Sequence, residues 1–330
     1  MHAQIIAEFG EPDVLQPAEL PDPTPGPTQV LVRQVATSVN PVDYKLRAAG
    51  HGLAPELPAV LGCDVAGTVA AIGSDVTTFA VGDAVYGAAG GVKGMGGSYA
   101  ELIATDARLL APAPTTISLR EAAALPLVTI TAWEGLDRAG VKSGDTVLVR
   151  GGTGGVGHVA IQLARARGAR VFATASSPQK AAIARRLGAD DTIDYRAETP
   201  DAYVKRLTDG RGFDVVFDAT GGSDIATAFA SARLNGQVVT IVAGYQADLA
   251  PMHAKGLSLH VVFMLIPMLH DTGREVHGRI LREASALVEA GKLEPLIDPE
   301  RFTLDRIADA HRKAESGRPL GKIVVEIGDG

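Results

Sequence analysis

Apolar residues follow two different patterns along the chain, and the change falls near residue 121. Before it, short apolar runs predict strands at 4–9, 29–39 and 65–73, and breaks rich in Pro and Gly separate them. After it, helical patterns alternate with apolar runs, which indicates a parallel sheet with helices on both faces. The sequence therefore predicts an α/β protein with a β-rich part and a doubly wound, Rossmann-type part.

The second part begins with a predicted helix over 122–136, and a long helix is expected over 274–291. A final strand is predicted at 321–327. The apolar stretch 257–269 is too short to span a membrane, so we expect a buried strand within it. The strands predicted for the parallel sheet lie at 146–149, 170–175, 190–195, 214–222, 237–244 and 257–263.

A glycine-rich turn joins the first of these parallel strands to the helix after it. Gly152, Gly154 and Gly157 match G-x-G-x-x-G, with a strand before the motif and a helix after it. Glycine lets the backbone approach a pyrophosphate, which the N–H groups and the dipole of the first helical turn attract. The motif therefore predicts a dinucleotide site that Gly155 and Val156 also line.

The end of the second parallel strand is where such sites read the ribose of the cofactor. An NAD site would carry Asp or Glu there, but this chain has Ser176 and Ser177, followed by Lys180. No acidic residue occurs from Thr146 to Ala189, although the whole chain has a formal charge of −7. Ser176 and Lys180 are therefore predicted to bind a 2′-phosphate, which makes NADPH the expected cofactor.

Later strands of a parallel sheet place their carboxyl ends at the same edge as the glycine motif. Further cofactor contacts are therefore expected from the residues that follow two of these strands. The alternative is that the glycines there only end the strands. The residues concerned are Ala219, Thr220 and Gly221 after the fourth strand, and Ala243, Gly244 and Tyr245 after the fifth.

The composition narrows the choice of partner and compartment. The 330 residues suffice for two domains, with 46% hydrophobic and 21% charged residues. No Lys- or Arg-rich run suggests a nucleic-acid or membrane partner, so a small molecule is expected. The single cysteine, Cys63, rules out an intramolecular disulfide and a four-cysteine zinc site. With no secretory signal at the N-terminus, the cytoplasm is the expected compartment.

The order of these parts resembles the medium-chain dehydrogenase/reductase superfamily, and within it the zinc-independent quinone oxidoreductase-like proteins. The resemblance implies a GroES-like, partly open β-barrel catalytic domain at 1–121 and 267–330. It also implies a Rossmann NADP(H)-binding domain at 122–266. The segments that carry the resemblance are SVNPVDYKLRAAG (38–50), LPAVLGCDVAGTVAAIGSDVTTFAVGDAVYG (57–87), GGSYAELIA (96–104), EAAALPLVTITAWEGL (121–136), the glycine motif and LGKIVVEI (320–327).

The resemblance also implies roles for individual residues. Quinone oxidoreductases that use NADPH place a Lys and a Tyr around the 2′-phosphate, and Lys180 and Tyr195 stand at those places. The similarity further implies cofactor contacts from Thr129 and Thr131 at the nicotinamide carboxamide, from Phe263 to Leu265 along the nicotinamide ring, and from Lys322 on the C-terminal strand.

The resemblance bears on metal chemistry as well. Zinc-dependent members carry a cysteine where this chain has Asn40, and G-H-E where it has Gly62, Cys63 and Asp64. Two of those ligand types are missing here, and a tetrahedral zinc site needs more N or S ligands than the spacing offers. Cys63 is therefore expected to be a small buried residue in a turn. No metal site is predicted.

Without a metal, hydrogen-bond donors must stabilise the oxygen that gains charge as hydride arrives. The candidates are Asn40, Tyr44, Lys45 and His51. Relatives carry a tyrosine where His51 stands, so this histidine is either the proton donor or a solvated loop residue. Asp43 is expected to bond backbone amides, and a quinone can also take its proton from water.

The function predicted is an NADPH-dependent, zinc-independent transfer of hydride to a quinone or an α,β-unsaturated carbonyl. The pattern of residues does not separate quinone reduction from reduction of a 2-enoyl or alkenal double bond. Two alternatives are a nucleotide-binding regulatory or structural protein with little turnover, and a zinc alcohol dehydrogenase. The apolar edge strand at 257–263 would be covered in a symmetric homodimer, which relatives commonly form.

Overall fold

The computed structural model describes residues 1–222, 224–242 and 244–328. Ala243, an expected cofactor contact, lies outside the described residues. The chain divides into two compact units, which we call unit 1 and unit 2. Unit 1 comprises 1–130, 265–291 and 295–330, and unit 2 comprises 131–264 and 292–294.

The strands of the described chain are short, and most of them follow the predicted apolar runs. In chain order they are β1 (His2–Ile6), β2 (Leu15–Glu19), β3 (Gln29–Val39), β4 (Ala59–Val60), β5 (Asp64–Ile72), β6 (Ala84–Ala88), β7 (Leu102–Asp106), β8 (Leu110–Pro112), β9 (Thr146–Arg150), β10 (Arg170–Ala175), β11 (Asp191–Asp194), β12 (Phe213–Asp218), β13 (Ala232–Thr240), β14 (Ser258–Val261), β15 (Phe302–Thr303) and β16 (Ile323–Glu326).

The helices lie mainly between the strands of unit 2 and near the C-terminus. They are α1 (Pro41–Ala49), α2 (Leu119–Ala122), α3 (Pro126–Arg138), α4 (Gly155–Ala166), α5 (Pro178–Arg186), α6 (Pro200–Thr208), α7 (Ile225–Ser231), α8 (Ala250–Lys255), α9 (Ile266–His270), α10 (Arg274–Glu289) and α11 (Ile307–Glu315).

Unit 1 contains two sheets whose strands run antiparallel, apart from the parallel pair β15 and β16. One sheet has the order β2-β1-β4, and the larger one has the order β15-β16-β3-β5-β6-β8, with β7 also paired to β3. Its C-terminal strand β16 pairs antiparallel with β3, so that Ile323 lies opposite Val39. This pairing brings the end of the chain beside the segment that starts α1, which matters for the site described below.

Unit 2 contains a six-stranded sheet in the order β11-β10-β9-β12-β13-β14. All of its neighbouring strands run parallel. Buried side chains on the sheet and helices, including Leu148, Phe172, Phe213 and Phe229, form its core. The order and direction of the strands confirm the predicted doubly wound α/β class, with β14 at one edge.

Two local predictions were wrong, and one helix was missed. The helix expected over 122–136 is two helices, because Pro126 has no N–H to continue the first and starts the second. Helix α1 was not predicted, although Asn40, Pro41 and Asp43 form a typical helix start. The strand expected within 257–269 is present as β14, but it is not buried, because Ser258 and Val261 are exposed and the two residues between them are only partly buried.

No helix in the described ranges has both the length and the apolar character needed to cross a membrane. The helix predicted over 274–291 is present as α10, and its buried residues, among them Ile280, Leu281 and Ala284, lie at helical spacing along one face.

Candidate functional site

The turn between β9 and α4 is packed so tightly that side chains cannot be added at two of its glycines. A Cβ on Gly157 would lie 2.1 Å from the carbonyl oxygen of Gly151, and one on Gly152 would lie 2.8 Å from the Cβ of Ala173. Gly151 itself has a φ of 76°, a left-handed conformation that favours glycine. The turn is therefore held close to β10 by the absence of side chains.

The same turn leaves the N-terminus of α4 open to an anion. Gly154 precedes the helix and provides no side-chain cap, and the first helical bond runs from the N–H of His158 to the carbonyl of Gly154. The N–H groups of Gly155, Val156 and Gly157 thus have no acceptor within the helix. A pyrophosphate fits this arrangement, because it would accept from these groups at the positive end of the helix dipole.

The ends of β10 and β11 bring together the residues predicted to bind a 2′-phosphate. Ala175 pairs with Asp194 across the two parallel strands, so Ser176 and Tyr195 leave the sheet side by side. Lys180 lies in the first turn of α5, where its N–H donates to the side chain of Ser177.

Arg196 joins this group, and the sequence analysis had not singled it out. Its Nη1 donates to the carbonyl oxygen of Ser176 at 3.1 Å, and its guanidinium carbon lies 5.8 Å from the centre of the Tyr195 ring. The adjacent position in D-Y-R was the signal that could have found it. Arg196 follows β11 and Lys180 lies in α5, so two cationic residues stand near the end of β10, and cations of this kind suit a phosphate group.

The loop after β12 contacts the glycine turn. Arg150 and Asp218 pair at the ends of β9 and β12, and their side chains form an ion pair of 3.4 Å. Asp218 also accepts from the hydroxyl of Thr220 at 2.6 Å. The methyl carbon of Thr220 would lie 2.8 Å from a Cβ on Gly151. Thr220, which was expected to contact the cofactor, therefore lies next to the glycine turn. Ala219 lies between Asp218 and Thr220.

The other expected cofactor residues differ in accessibility. Thr129, in unit 1, is fully buried, and its hydroxyl has no hydrogen-bond partner among the described residues. Such an orphaned polar group is a candidate for binding a ligand. Thr131, in unit 2, and Leu265, in unit 1, are buried as well. Phe263 and Gly244, both in unit 2, are exposed.

Asn40 is the most firmly held of the four candidate catalytic residues. It is fully buried at the start of α1. Its backbone N–H donates to Oδ2 of Asp43 at 2.7 Å, which confirms the structural role expected for Asp43. Its Nδ2 donates to Oδ2 of Asp64 at 2.8 Å, and its Oδ1 accepts from Nζ of Lys322. Two contacts therefore fix the side-chain amide of Asn40, and a third fixes its backbone.

The described hydrogen bonds of the Asn40 side chain go to Asp64 and Lys322 and not to the other three candidates. Tyr44 is half-buried against the core of unit 1, and burial raises the pKa of its hydroxyl. Lys45 and His51 are exposed, and His51 has a φ of 48° between two glycines that also have positive φ. Because Tyr44 and Lys45 are consecutive on a helix, their side chains point about 100° apart.

Lys322 was expected to approach the cofactor, but its ammonium group is engaged inside unit 1. Besides Asn40, it donates to the carbonyl oxygen of Val39 at 3.2 Å and to Asp64 at 3.3 Å. An ammonium group has three N–H donors, and these three acceptors account for all of them. The cofactor contact of Lys322 stays a prediction that no described contact supports.

The residues at the zinc positions of related enzymes do not fit a zinc ion. Cys63 is free and buried as expected, and burial raises the pKa of its thiol well above the ordinary value. A zinc ligand would have to be the thiolate. The Asp64 carboxylate is already paired with Lys322. Within 1–222, 224–242 and 244–328, no group of three His, Cys, Asp or Glu residues could hold a metal.

Behind α1, a buried histidine and a buried carboxylate titrate in opposite directions. Burial and the neighbouring Arg47 guanidinium lower the pKa of His311 to about 3, and its Nε2 lies 2.9 Å from the hydroxyl of Tyr99. Burial raises the pKa of Asp43 to about 6, although the N–H of Asn40 opposes this shift. Between pH 6.5 and 3, His311 is therefore protonated in the unfolded chain but not in the folded chain. For Asp43 the order is reversed, because the folded chain binds the proton at a higher pH than the unfolded chain does.

These shifts predict opposite pH effects for two variants. Between pH 6.5 and 3 the unfolded state binds the His311 proton, so His311 lowers the free energy of unfolding as the pH falls, by about 2 kcal/mol at pH 5. Between pH 6 and 3.8 the folded state binds the Asp43 proton, so Asp43 raises the free energy of unfolding as the pH falls, by about 1 kcal/mol at pH 5. On moving from about pH 7.5 to pH 5, His311→Phe should therefore lose less stability than the parent, and Asp43→Asn should lose more.

Urea unfolding at the two pH values, followed by circular dichroism, measures both changes. His260→Phe is the control, because this half-exposed histidine of unit 2 has only a modestly lowered pKa and should alter the pH dependence less. If the free energy of unfolding changes by the same amount between the two pH values in the parent, His311→Phe and Asp43→Asn proteins, the two pKa shifts are wrong.

A glycine turn open to an anion, followed by a basic end of β10, defines a dinucleotide-binding oxidoreductase of the NADP(H) type. Family models agree: the alcohol dehydrogenase GroES-like domain matches residues 26–115, and the zinc-binding dehydrogenase model matches residues 155–274. The chain belongs to the medium-chain dehydrogenase/reductase superfamily and is quinone oxidoreductase-like.

Individual relatives cover nearly the whole chain. A quinone oxidoreductase of Pseudomonas aeruginosa is 35% identical over 327 residues, which cover 97% of this chain and 98% of the relative. An NADPH-dependent alkenal/one oxidoreductase, chloroplastic, of Arabidopsis thaliana is 35% identical over 334 residues, covering 98% and 79%. The crystal structure of an alcohol dehydrogenase superfamily protein from Novosphingobium aromaticivorans shares 44% identity, with a TM-score of 0.94 over 99% of this chain and 100% of that one.

Proposed function

We propose that the chain is an NADPH-dependent reductase that transfers hydride to a quinone or to an α,β-unsaturated carbonyl without a metal. The observation that carries the proposal is the pair of cations, Lys180 and Arg196, beside Ser176 at the end of β10. The similarity to a quinone oxidoreductase and to an alkenal/one oxidoreductase supports both classes of acceptor.

The proposed division of labour follows the chain. Residues 122–266 bind the cofactor, and 1–121 with 267–330 form the catalytic domain. The N–H groups at the start of α4 hold the pyrophosphate, and Thr131 and Phe263 of the same unit contact the nicotinamide end. The 2′-phosphate accepts hydrogen bonds from Ser176, Lys180, Tyr195 and Arg196. NADH has no 2′-phosphate, so its binding would leave the two cations without a partner and is disfavoured.

On the substrate side, Asn40 is the proposed donor. Bound NADPH supplies the hydride, and the substrate oxygen gains negative charge as it arrives. Nδ2 of Asn40 carries two N–H groups, and Asp64 takes one of them. Within the described part of the chain the second N–H has no acceptor, so it can donate to that oxygen. Because two side-chain hydrogen bonds hold the Asn40 amide before the substrate binds, the amide does not have to turn during the reaction.

The test is to follow NADPH and NADH absorbance with the purified protein against a naphthoquinone, 1,4-benzoquinone, a 2-alkenal and an enone. A primary alcohol with oxidised cofactor is included. We expect NADPH to be consumed with a quinone or an enone and NADH to be used poorly. Equal use of NADH would refute the phosphate assignment. Tight NADPH binding with no turnover on any acceptor would instead indicate a nucleotide-binding regulatory or structural protein.

We also propose how the chain assembles and in which compartment it works. Strand β14 lies at the edge of the unit 2 sheet, and Val261 on it is 44% exposed. An unpaired apolar edge is a liability that a second copy can cover, so we propose a symmetric homodimer through this edge. The single buried Cys63, which needs no oxidising environment, supports the cytoplasm as the compartment.

A charge on this edge is predicted to separate the dimer. Val261→Asp would place a carboxylate in this apolar edge on each copy, where burial at the interface would cost desolvation, so sedimentation velocity at micromolar concentration should change from dimer to monomer. Val81→Asp is the control, since Val81 is an exposed valine of unit 1. A parent protein that sediments as a monomer would reject the homodimer.

A further inference from the structure

Lys322 and Asp64 form an ion pair deep inside unit 1, far from each other in sequence. Their side chains are 3% and 0% exposed, and Nζ lies 3.3 Å from Oδ2. We infer that this pair positions Asn40, because its two opposite charges fix the orientation of the side-chain amide. The inference rests on the proposed function, in which Asn40 contacts the substrate oxygen.

The two partners of the Asn40 amide have opposite hydrogen-bonding chemistry. An ammonium group can only donate hydrogen bonds, and a carboxylate can only accept them. Oδ1 of Asn40 faces the ammonium of Lys322, and Nδ2 faces the carboxylate of Asp64. An amide rotated by half a turn would place its N–H groups against a cation and its oxygen against an anion. Only one orientation of the Asn40 amide is therefore compatible with the pair.

The ion pair is itself held in place by hydrogen bonds from several parts of unit 1. Asp64 accepts from the hydroxyl of Ser38 at 2.5 Å and, through its other oxygen, from the N–H of Leu127 at 2.8 Å. Lys322 also donates to the carbonyl oxygen of Val39, next to Asn40. Strands β3 and β5, the turn before β16 and the start of α3 thus all hold the charges that orient one amide. Such rigidity is what a catalytic donor requires.

A buried ion pair of this kind adds little to the stability of the folded chain. Removing two charges from water costs several kcal/mol per ion, and replacing a buried ion pair by neutral residues of similar size is often neutral or stabilising. Orientation gives a stronger reason to keep the pair, because a neutral pair would leave both amide orientations accessible. All three N–H groups of Lys322 are used within this cluster, because they donate to Val39, Asn40 and Asp64.

The experiment separates positioning from cofactor binding. In Lys322→Met the amide loses the charge that fixes its oxygen, so kcat with a naphthoquinone should fall by about 10- to 100-fold. The Kd for NADPH, measured by fluorescence, should stay within about twofold, and Lys322→Arg should recover part of kcat. If Lys322→Met leaves Asp64 uncompensated and fails to fold, the double variant Lys322→Met/Asp64→Asn removes both charges, and it should show the same loss of kcat.

Lys313→Met is the matched control, because Lys313 forms its ion pairs with Asp298 and Glu300 near the surface of the same unit. A folded Lys322 variant whose kcat stays within about threefold of the parent would overturn the inference. So would a loss of NADPH affinity above about tenfold with kcat retained.

High-resolution crystal structures decide the orientation separately from turnover. We expect one Asn40 amide orientation in the parent and two in the double variant, and one orientation in both would overturn the inference. If the parent reduces none of the acceptors, the proposed function fails, and these structures still decide whether the pair positions the amide.

Discussion

Replacing Lys180 and Arg196 together by alanine is expected to lower kcat/KM for NADPH by about 10³, while kcat/KM for NADH changes by less than about threefold. Hydrogen bonds to a charged group contribute about 1.5–3 kcal/mol each, so two of them correspond to a factor of about 10² to 10⁴. NADH carries no 2′-phosphate and has nothing to lose there. The measurement is initial-rate kinetics with both cofactors at saturating naphthoquinone.

The control for this double variant removes the same charge from the same unit. Lys205 and Arg211 are exposed on α6 and the turn after it, and their replacement by alanine should leave the NADPH preference unchanged. The single variants should each lose part of the preference, since Arg196 and Lys180 are held by different elements. If the Lys180→Ala/Arg196→Ala protein still prefers NADPH by the parental factor, the 2′-phosphate does not bind at the end of β10.

Much of unit 2 could be predicted because its signals are local. The strand, glycine turn and helix around Gly152 and Gly157 are adjacent in sequence, and each glycine is explained by an atom it would otherwise meet. Ser176 and Tyr195 follow paired residues of neighbouring strands, so the order of the strands was enough to bring them together. Arg196 was missed because a contact with the carbonyl of Ser176 leaves no trace in periodicity or composition.

The catalytic side of the site could be predicted only in part, for a physical reason. Asn40 was found by its place in a motif, but its partner Lys322 is 282 positions away and reaches it through the pairing of β16 with β3. A lysine before a C-terminal strand is usually solvated, and nothing in the sequence shows that this one is buried. The exposure of Lys45 and His51 depends on α1, which the apolar pattern of the first part did not reveal.

Asn40→Ala is expected to lower kcat for quinone and enone reduction by about 10² to 10³, which corresponds to the loss of one preorganised donor at a developing oxyanion. The KM and the Kd for NADPH should change little, because the interaction is made only as charge appears on the substrate oxygen. Steady-state kinetics and fluorescence titration measure these quantities. Tyr44→Phe is the comparison, since it removes the hydroxyl of another candidate while keeping the ring against the core of unit 1.

Asn40→Asp separates the role of the donor from that of mere packing. The new side chain has nearly the size of Asn40 and still accepts from Lys322, but as a carboxylate it cannot donate, and it lies beside Asp64. Two neighbouring carboxyl groups share a proton, so the protonated form becomes populated as the pH falls and can donate again. Its kcat relative to the parent should therefore rise towards low pH, whereas that of Asn40→Ala should not. A ratio that stays flat with pH in both variants, or a larger loss in Tyr44→Phe than in Asn40→Ala, would assign the substrate oxygen to a different donor.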